Sequence, residues 1–192
     1  MASTFETSLG PERSYHNTKS AYILPNDKPE HDRLEAQSKC IFELMGKRII
    51  HAPLSATNVH KALDIGCGTG IVTHEIASQF PDAQVYGLDL SPVPNIREKL
   101  PNIEYVQGNI IDIATPHEPD ARFKHNSFDY IFSRFLVVGM TDWEGYIARC
   151  VALAKPGVLI PFSVTGEVAD DIIRRGLKCT ISTWRCTTFQ TR

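Results

Sequence analysis

A chain of 192 residues, 42% hydrophobic and 22% charged, has the size and balance of one globular domain with a buried core. Its 20 basic and 22 acidic residues leave a net charge of −2, which offers no electrostatic case for nucleic acid or a membrane surface. No apolar run reaches the length of a bilayer span, and the polar start MASTFETSLGPERSYHNTKS lacks the apolar segment of a secretory signal.

Residues 1–20 are rich in Ser, Thr, Glu and Asn and read as a flexible segment. Pro25 and Pro29 precede a helix expected over roughly 30–45, with a partial apolar face from Leu34, Ile41, Leu44 and Met45 and a stop at Gly46. HKALDI (60–65) is a short buried strand, IVTHEIASQF (71–80) a helix, and AQVYGLDL (83–90) a second strand. NIREKL (95–100) is expected to be a short helical stretch, followed by a third strand in IEYVQGNI (103–110). SFDYIFSRFLVV (127–138) contains a fourth strand, DWEGYIARCVALA (142–154) a helix ended by KPG, and VLIPFSV (158–164) a fifth strand interrupted by Pro161. Repeated strand–helix–strand order predicts an α/β fold, a doubly wound and mostly parallel Rossmann-like sheet with helices on both faces. The five cysteines, Cys40, Cys67, Cys150, Cys179 and Cys186, form no C-x-x-C pair. They read as reduced thiols in a cytoplasmic protein, or a nuclear one if it is regulatory, and no metal site is expected.

Ligands of a doubly wound sheet bind beyond the carboxyl ends of the strands. The stretch LDIGCGTG (63–70) ends the first strand there, and Gly66, Gly68 and Gly70 let a ligand approach the backbone closely. A dinucleotide fingerprint would read G-x-G-x-x-G. Here the third glycine comes one residue early, with Ile71 in its place, and Asp64 would repel a pyrophosphate at the helix N-terminus. A cationic ligand fits better. S-adenosylmethionine carries an ammonium for Asp64, a carboxylate for free N–H groups of the turn, and no phosphate. Asp89, at the tip of the second strand, can accept both hydroxyl hydrogens of a ribose. Asn109 follows the third strand and can hydrogen-bond an adenine edge, with Ile110 packed on the ring.

Taken together, LDIGCGTG, GLDLS, YVQGNI and the long run from SFDYIFSRF to AKPG resemble a class I S-adenosylmethionine-dependent methyltransferase. YILPNDKPEHDRLEAQ, the GMTDW turn and the KPG stop are similar to the fungal LaeA-like methyltransferases. The resemblance covers roughly residues 15–157. It implies that Asp64, Gly66, Cys67, Gly68 and Gly70 hold the methionine part of the cofactor, Asp89 the ribose, and Leu90, Asn109 and Ile110 the adenine. Many relatives have an acidic residue at the Asn109 position. Tyr22 is a candidate to close over the site from the N-terminal segment. The implied domain plan is a flexible segment 1–20, a core 21–164 with an N-terminal helical cap, and a divergent tail 165–192.

The tail departs from the family pattern after Gly157. Twenty-eight residues from Thr165 are too few for the usual helix and long hairpin, so the sheet is expected to be incomplete at its last strands. EVADDIIRRGL can make a short helix and CTISTW one strand. A truncation, or an altered splice or reading frame after Gly157, is the expected origin.

Methyl transfer needs alignment and exclusion of water more than acid–base chemistry, because the cofactor carries the activation. Tyr15, His16 and His74 are the candidate bases, and none is assigned. Arg134 is expected to pair with an acidic neighbour. Thr141 or Asp142 is expected to cap a helix, with Trp143 buried. The resemblance implies methyl transfer to a small-molecule acceptor in fungal secondary metabolism. An alternative is a catalytically impaired or regulatory relative acting through protein partners. A nicotinamide-dependent oxidoreductase is disfavoured by the glycine spacing and Asp64.

Overall fold

The computed structural model describes residues 13–52, 54–114, 120–163, 179–181 and 186–190. Helix α1 (Lys28–Leu44) begins where the Asp27 side chain accepts a hydrogen bond from the Glu30 amide, with Pro29 in the first turn. It ends at Gly46, whose φ of +67° is the left-handed conformation of a helix stop. The expected apolar face is only partly buried, with Leu34, Ile41 and Met45 at intermediate exposure. Leu44 is 72% exposed, whereas Glu30 and Ser38 are buried and Leu34 is half-buried.

The strands are β1 (Lys61–Ile65), β2 (Gln84–Asp89), β3 (Ile103–Gln107), β4 (Tyr130–Ser133), β5 (Leu159–Ser163), β6 (Cys179–Ile181) and β7 (Cys186–Gln190). They lie in the order β3-β2-β1-β4-β5-β7-β6. The first five are parallel; β7 runs antiparallel between β5 and β6. The α/β doubly wound reading therefore holds, but the sheet is not short of its last strands. CTISTW supplies β6 as expected, and Cys186–Gln190 adds a strand that was not foreseen. That edge is made from short pieces, only three residues in β6. The helix expected at EVADDIIRRGL lies outside the described residues. Pro161 cannot donate to a ladder; β4 and β5 are in register only at Ser133 and Phe162, while β5 pairs along its length with β7.

Three further helices follow: α2 (Ile71–Gln79), the single turn α3 (Ile110–Ile113) and α4 (Trp143–Leu153). NIREKL forms no helix. Pro101 disfavours helical geometry at its Leu100, and Arg97 instead reaches Glu35 on α1, 2.5 Å away. Asp142 proves to be the cap of α4, accepting from the Gly145 amide at 2.8 Å. Trp143 is half-buried, its ring edge-on to Tyr146.

Alternation along β1 sends Leu63 and Ile65 to one face and Ala62 and Asp64 to the other. The first pair joins Tyr86, Leu88, Ile131 and the inner side of α4 in one core; Ala62 joins Val85, Tyr130, Phe132 and the inner side of α2 in a second. The same alternation in β2 carries Asp89 to the α2 face. Two carboxylates thus reach the tips of neighbouring strands on one side. No described helix is long and apolar enough to cross a membrane.

Candidate cofactor site

At β1 the chain order reverses: β2 and β3 lie to one side, β4 and β5 to the other. Beyond the carboxyl ends of these strands is a cavity of about 1240 Å³. Asp64, Gly66, Cys67, Gly68, Asp89, Leu90, Asn109 and Ile110 all line it. Gly70 does not. Its φ of +77° makes the left-handed turn that starts α2, and a Cβ there would lie 2.5 Å from the Tyr105 hydroxyl. Its place in the motif is explained by the turn and by Tyr105 packing.

The loop amides are bonded differently from the sequence-based picture. The N–H groups of Gly66 and Cys67 both donate to the Leu88 carbonyl, at 2.8 and 3.1 Å. The Gly68 N–H donates to Asp89 Oδ2 at 2.8 Å, and the Ser91 N–H to Asp89 Oδ1 at 3.0 Å. Each Asp89 oxygen keeps a further lone pair, since a carboxylate offers about four acceptor sites. A cis-diol needs two. Burial raises the Asp89 pKa, opposed by these backbone donors.

Asp64 is buried, 2% exposed, and its Oδ2 accepts from the Thr73 hydroxyl of α2 at 2.7 Å. Burial pushes its pKa up to about 6, against the Thr73 bond and the charge of Arg134; Asp89 adds to the rise. Thr73 was missed from sequence, although a hydroxyl on the buried side of IVTHEIA, between Val72 and Ile76, was the available signal. Burial, then Asp64 and Asp89, push the Cys67 thiol well up, so it is a packed neutral group without nucleophilic character.

Asn109 uses its side-chain oxygen to cap α3 through the Ile111 amide at 3.1 Å, which leaves the NH₂ as its free end. A donor suits a ring nitrogen of adenine, where a carboxylate would take the exocyclic amine.

The remaining walls come from segments the motifs do not mark. Residues 18–22 and Leu24 form one side; Arg33, Leu34, Gln37 and Ser38 of α1 and the 134–142 loop form others. The strap is tied at its base by Arg13 to Asp27 and by the Ser14 hydroxyl and Asn26 carbonyl, 2.6 Å apart. His16 shapes its tip: Nε2–H donates to the Tyr22 carbonyl at 2.7 Å and Nδ1 accepts from the Thr18 hydroxyl at 2.8 Å. Tyr22 lies on the cavity wall and covers Gly139, where a Cβ would meet its Cδ2 at 2.8 Å. Of the candidate bases Tyr15, His16 and His74, none lines the cavity. Arg134 does, but it enters none of the ion pairs of the described residues, contrary to expectation. It donates to the Ser38 hydroxyl at 3.2 Å and stacks near Phe135, 5.2 Å from the ring centre.

Residues 63–160 match the sequence profile of a methyltransferase domain, half of the chain. The chain belongs to the class I S-adenosylmethionine-dependent methyltransferases. It is 40% identical over 150 residues to the protein-methionine methyltransferase laeA of Emericella nidulans, covering 76% of this chain and 37% of that protein. It is 31% identical over 147 residues to methyltransferase pytC of Aspergillus terreus, covering 76% and 42%. The first relatives it matches are spanned only in part, 37% and 47% of their lengths. Among solved structures, a TehB-like S-adenosylmethionine-dependent methyltransferase of Corynebacterium glutamicum superposes with a TM-score of 0.57 at 20% identity, over 86% of this chain and all of that one. That likeness is one of fold. S-adenosylmethionine is the family's cofactor, and the site suits it: a buried carboxylate for a cation, spare acceptors on Asp89, and a loop without Cβ atoms at Gly66 and Gly68.

Proposed function

We propose that this protein transfers a methyl group from S-adenosylmethionine to a small-molecule acceptor in fungal secondary metabolism, working in the cytoplasm. The observation that carries the reading is the continuity of the cavity. It runs from Asp64, Asp89 and the glycine loop to the turn of Phe135, Val137 and Val138, which are 47%, 42% and 49% exposed. Its volume of about 1240 Å³ exceeds the usual range of single-ligand sites, roughly 300–1,000 Å³. There is room for a donor and an acceptor together. The cofactor supplies an activated methyl on sulfur. In this reading Asp89 holds the ribose, Asn109 and Ile110 border the adenine, Asp64 faces the ammonium, and Tyr22 with the strap excludes water. Phe135, Val137 and Val138 receive the apolar part of the acceptor. Fungal relatives, among them one named a secondary metabolism regulator, support the metabolic setting.

Calorimetric titration with S-adenosylmethionine, with NAD as control, tests the first half. Saturable binding of S-adenosylmethionine alone is expected. Asp89→Ala is expected to weaken it about tenfold to a hundredfold, and Gly68→Val to abolish it, because Gly68 has a φ of +56°. Binding of NAD instead would refute the reading. Transfer of labelled methyl to low-mass extract components tests the second half. The 40% identity to a relative named a secondary metabolism regulator favours one other reading, a catalytically impaired or regulatory protein acting through protein partners, with a nuclear location. Cofactor binding without label in low-mass products, but with partner proteins retained on the immobilised chain, would favour it.

A further inference from the structure

The cofactor's methionyl end is a zwitterion, and the sequence-based picture left its carboxylate to free loop amides. In the structure the N–H groups of Gly66, Cys67, Gly68 and Gly70 are bonded within the protein, to Leu88, Asp89 and Cys67. Of the loop amides from Gly66 to Gly70 only that of Thr69 has no such bond, so a carboxylate held at both oxygens needs a side-chain donor as well. Among the described residues, three basic side chains line the cavity: Lys19, Arg33 and Arg134. Arg33 is held by both oxygens of Glu30, at 2.8 and 2.6 Å. Lys19 is exposed on the strap. Arg134 is half-buried, and its bonded partner is the neutral Ser38 hydroxyl. A guanidinium carries five N–H donors, so a fork remains for a bidentate carboxylate.

The position is as telling as the vacancy in its bonding. Arg134 leaves the tip of β4, and Asp64 lies near the tip of the adjacent β1, where Asp64 pairs in register with Phe132. Their charges act on one another, yet they form no ion pair. A cation and an anion facing one cavity without touching match the two charges on a single α-carbon. We propose that Arg134 binds the α-carboxylate of the cofactor's methionyl group, opposite the α-ammonium at Asp64. The proposal rests on the reading of this cavity as the S-adenosylmethionine site. A carboxylate on the acceptor is the other source of the same chemistry, and the adjacency to Asp64 favours the cofactor.

The test compares S-adenosylmethionine with its decarboxylated form, which keeps the ammonium, in calorimetry on the full chain. The wild type is expected to prefer the carboxylated ligand. Arg134→Met should lower its affinity about tenfold to a hundredfold and leave the decarboxylated ligand nearly unchanged, so that the preference collapses. That second titration also reports an intact cavity. Arg134→Lys keeps the charge without the fork and should fall between; should the Met variant unfold, the Lys variant decides. Equal losses for both ligands mean a structural role and overturn the proposal. An unchanged preference also overturns it and leaves Arg134 to an acid on the acceptor. If the wild type binds neither ligand, the cofactor reading fails and the assignment falls with it.

Discussion

Asp64 is the place where the site works against the fold, and the conflict can be measured. Burial moves its carboxyl from an ordinary 3.8 up to about 6. At about 1.4 kcal/mol per pKa unit, the ionised group costs the native state about 3 kcal/mol. The sign follows from proton binding. Below pH 3.8 the group is protonated in both states and costs nothing. Between pH 3.8 and 6 the unfolded chain loses its proton while the native one keeps it, so stability falls as pH rises. Above pH 6 the full cost is present. Asp64→Asn cannot ionise, and its amide oxygen can still accept from Thr73. The stability of Asp64→Asn minus that of the wild type, from urea unfolding, should therefore grow by about 2 kcal/mol between pH 4 and pH 7. A constant offset from the buried NH₂ does not affect this difference in slope. An ammonium bound against Asp64 should stabilise the ionised form, so cofactor affinity should decline as pH drops below about 6. Parallel stability curves for the two proteins across that window would refute the argument.

The remaining predictions concern the frame of the site. Gly70→Ala forces a Cβ into a left-handed conformation, at about 1–2 kcal/mol, and against the Tyr105 hydroxyl and ring, at about 1–3 kcal/mol. Adding Tyr105→Ala should return the crowding part and leave the backbone part, read from a double-mutant cycle in urea. Asn102→Ala should destabilise the fold by about 1–3 kcal/mol. Its amide nitrogen donates to the carbonyls of Ala77, Phe80 and Ala83, at 3.2, 3.2 and 3.0 Å, which tie the end of α2 to the start of β2. A midpoint unchanged in urea would show those bonds to be replaceable by water.

What was legible in the sequence was whatever depends on local period and local turn chemistry. The buried strands, the αL glycines and both carboxylates at strand tips fall in this class, because alternation fixes a strand's face and a glycine-rich turn fixes where it stops. NIREKL has a charge pattern that suits a helix, but Pro101 disfavours helical geometry at Leu100 and the stretch is too short to hold a helix by itself. Leu44 looked like core for the same local reason, whereas tertiary packing turned α1 so that Ser38 and Glu30 face inward. Residues joined only by the fold left no local mark. Asp129 accepts from the amides of His60 and Lys61 and from Lys155, across 69, 68 and 26 positions of chain. The Arg134–Ser38 bond spans 96. The strand Cys186–Gln190 gains its meaning only from the neighbour it pairs with.

Several features that sit badly with local stability border the same cavity. Asp64 is a buried carboxylate, Arg134 a half-buried cation outside the ion pairs of the described residues, and Phe135 a non-glycine residue at a φ of +61° with an exposed ring. Val137 and Val138 extend that exposed apolar surface. Lone exposed apolar residues such as Leu44 need no explanation, but a convergence of unlike conflicts on one space does. Proteins depart from local consistency where function requires it. On the proposed reading each conflict is relieved by a different part of the ligands: the ammonium at Asp64, the carboxylate at Arg134, an apolar acceptor at Phe135 and the valines. Ligand binding should then raise the unfolding temperature more for the wild type than for Asp64→Asn or Arg134→Met, since in each variant one source of relief has been removed in advance.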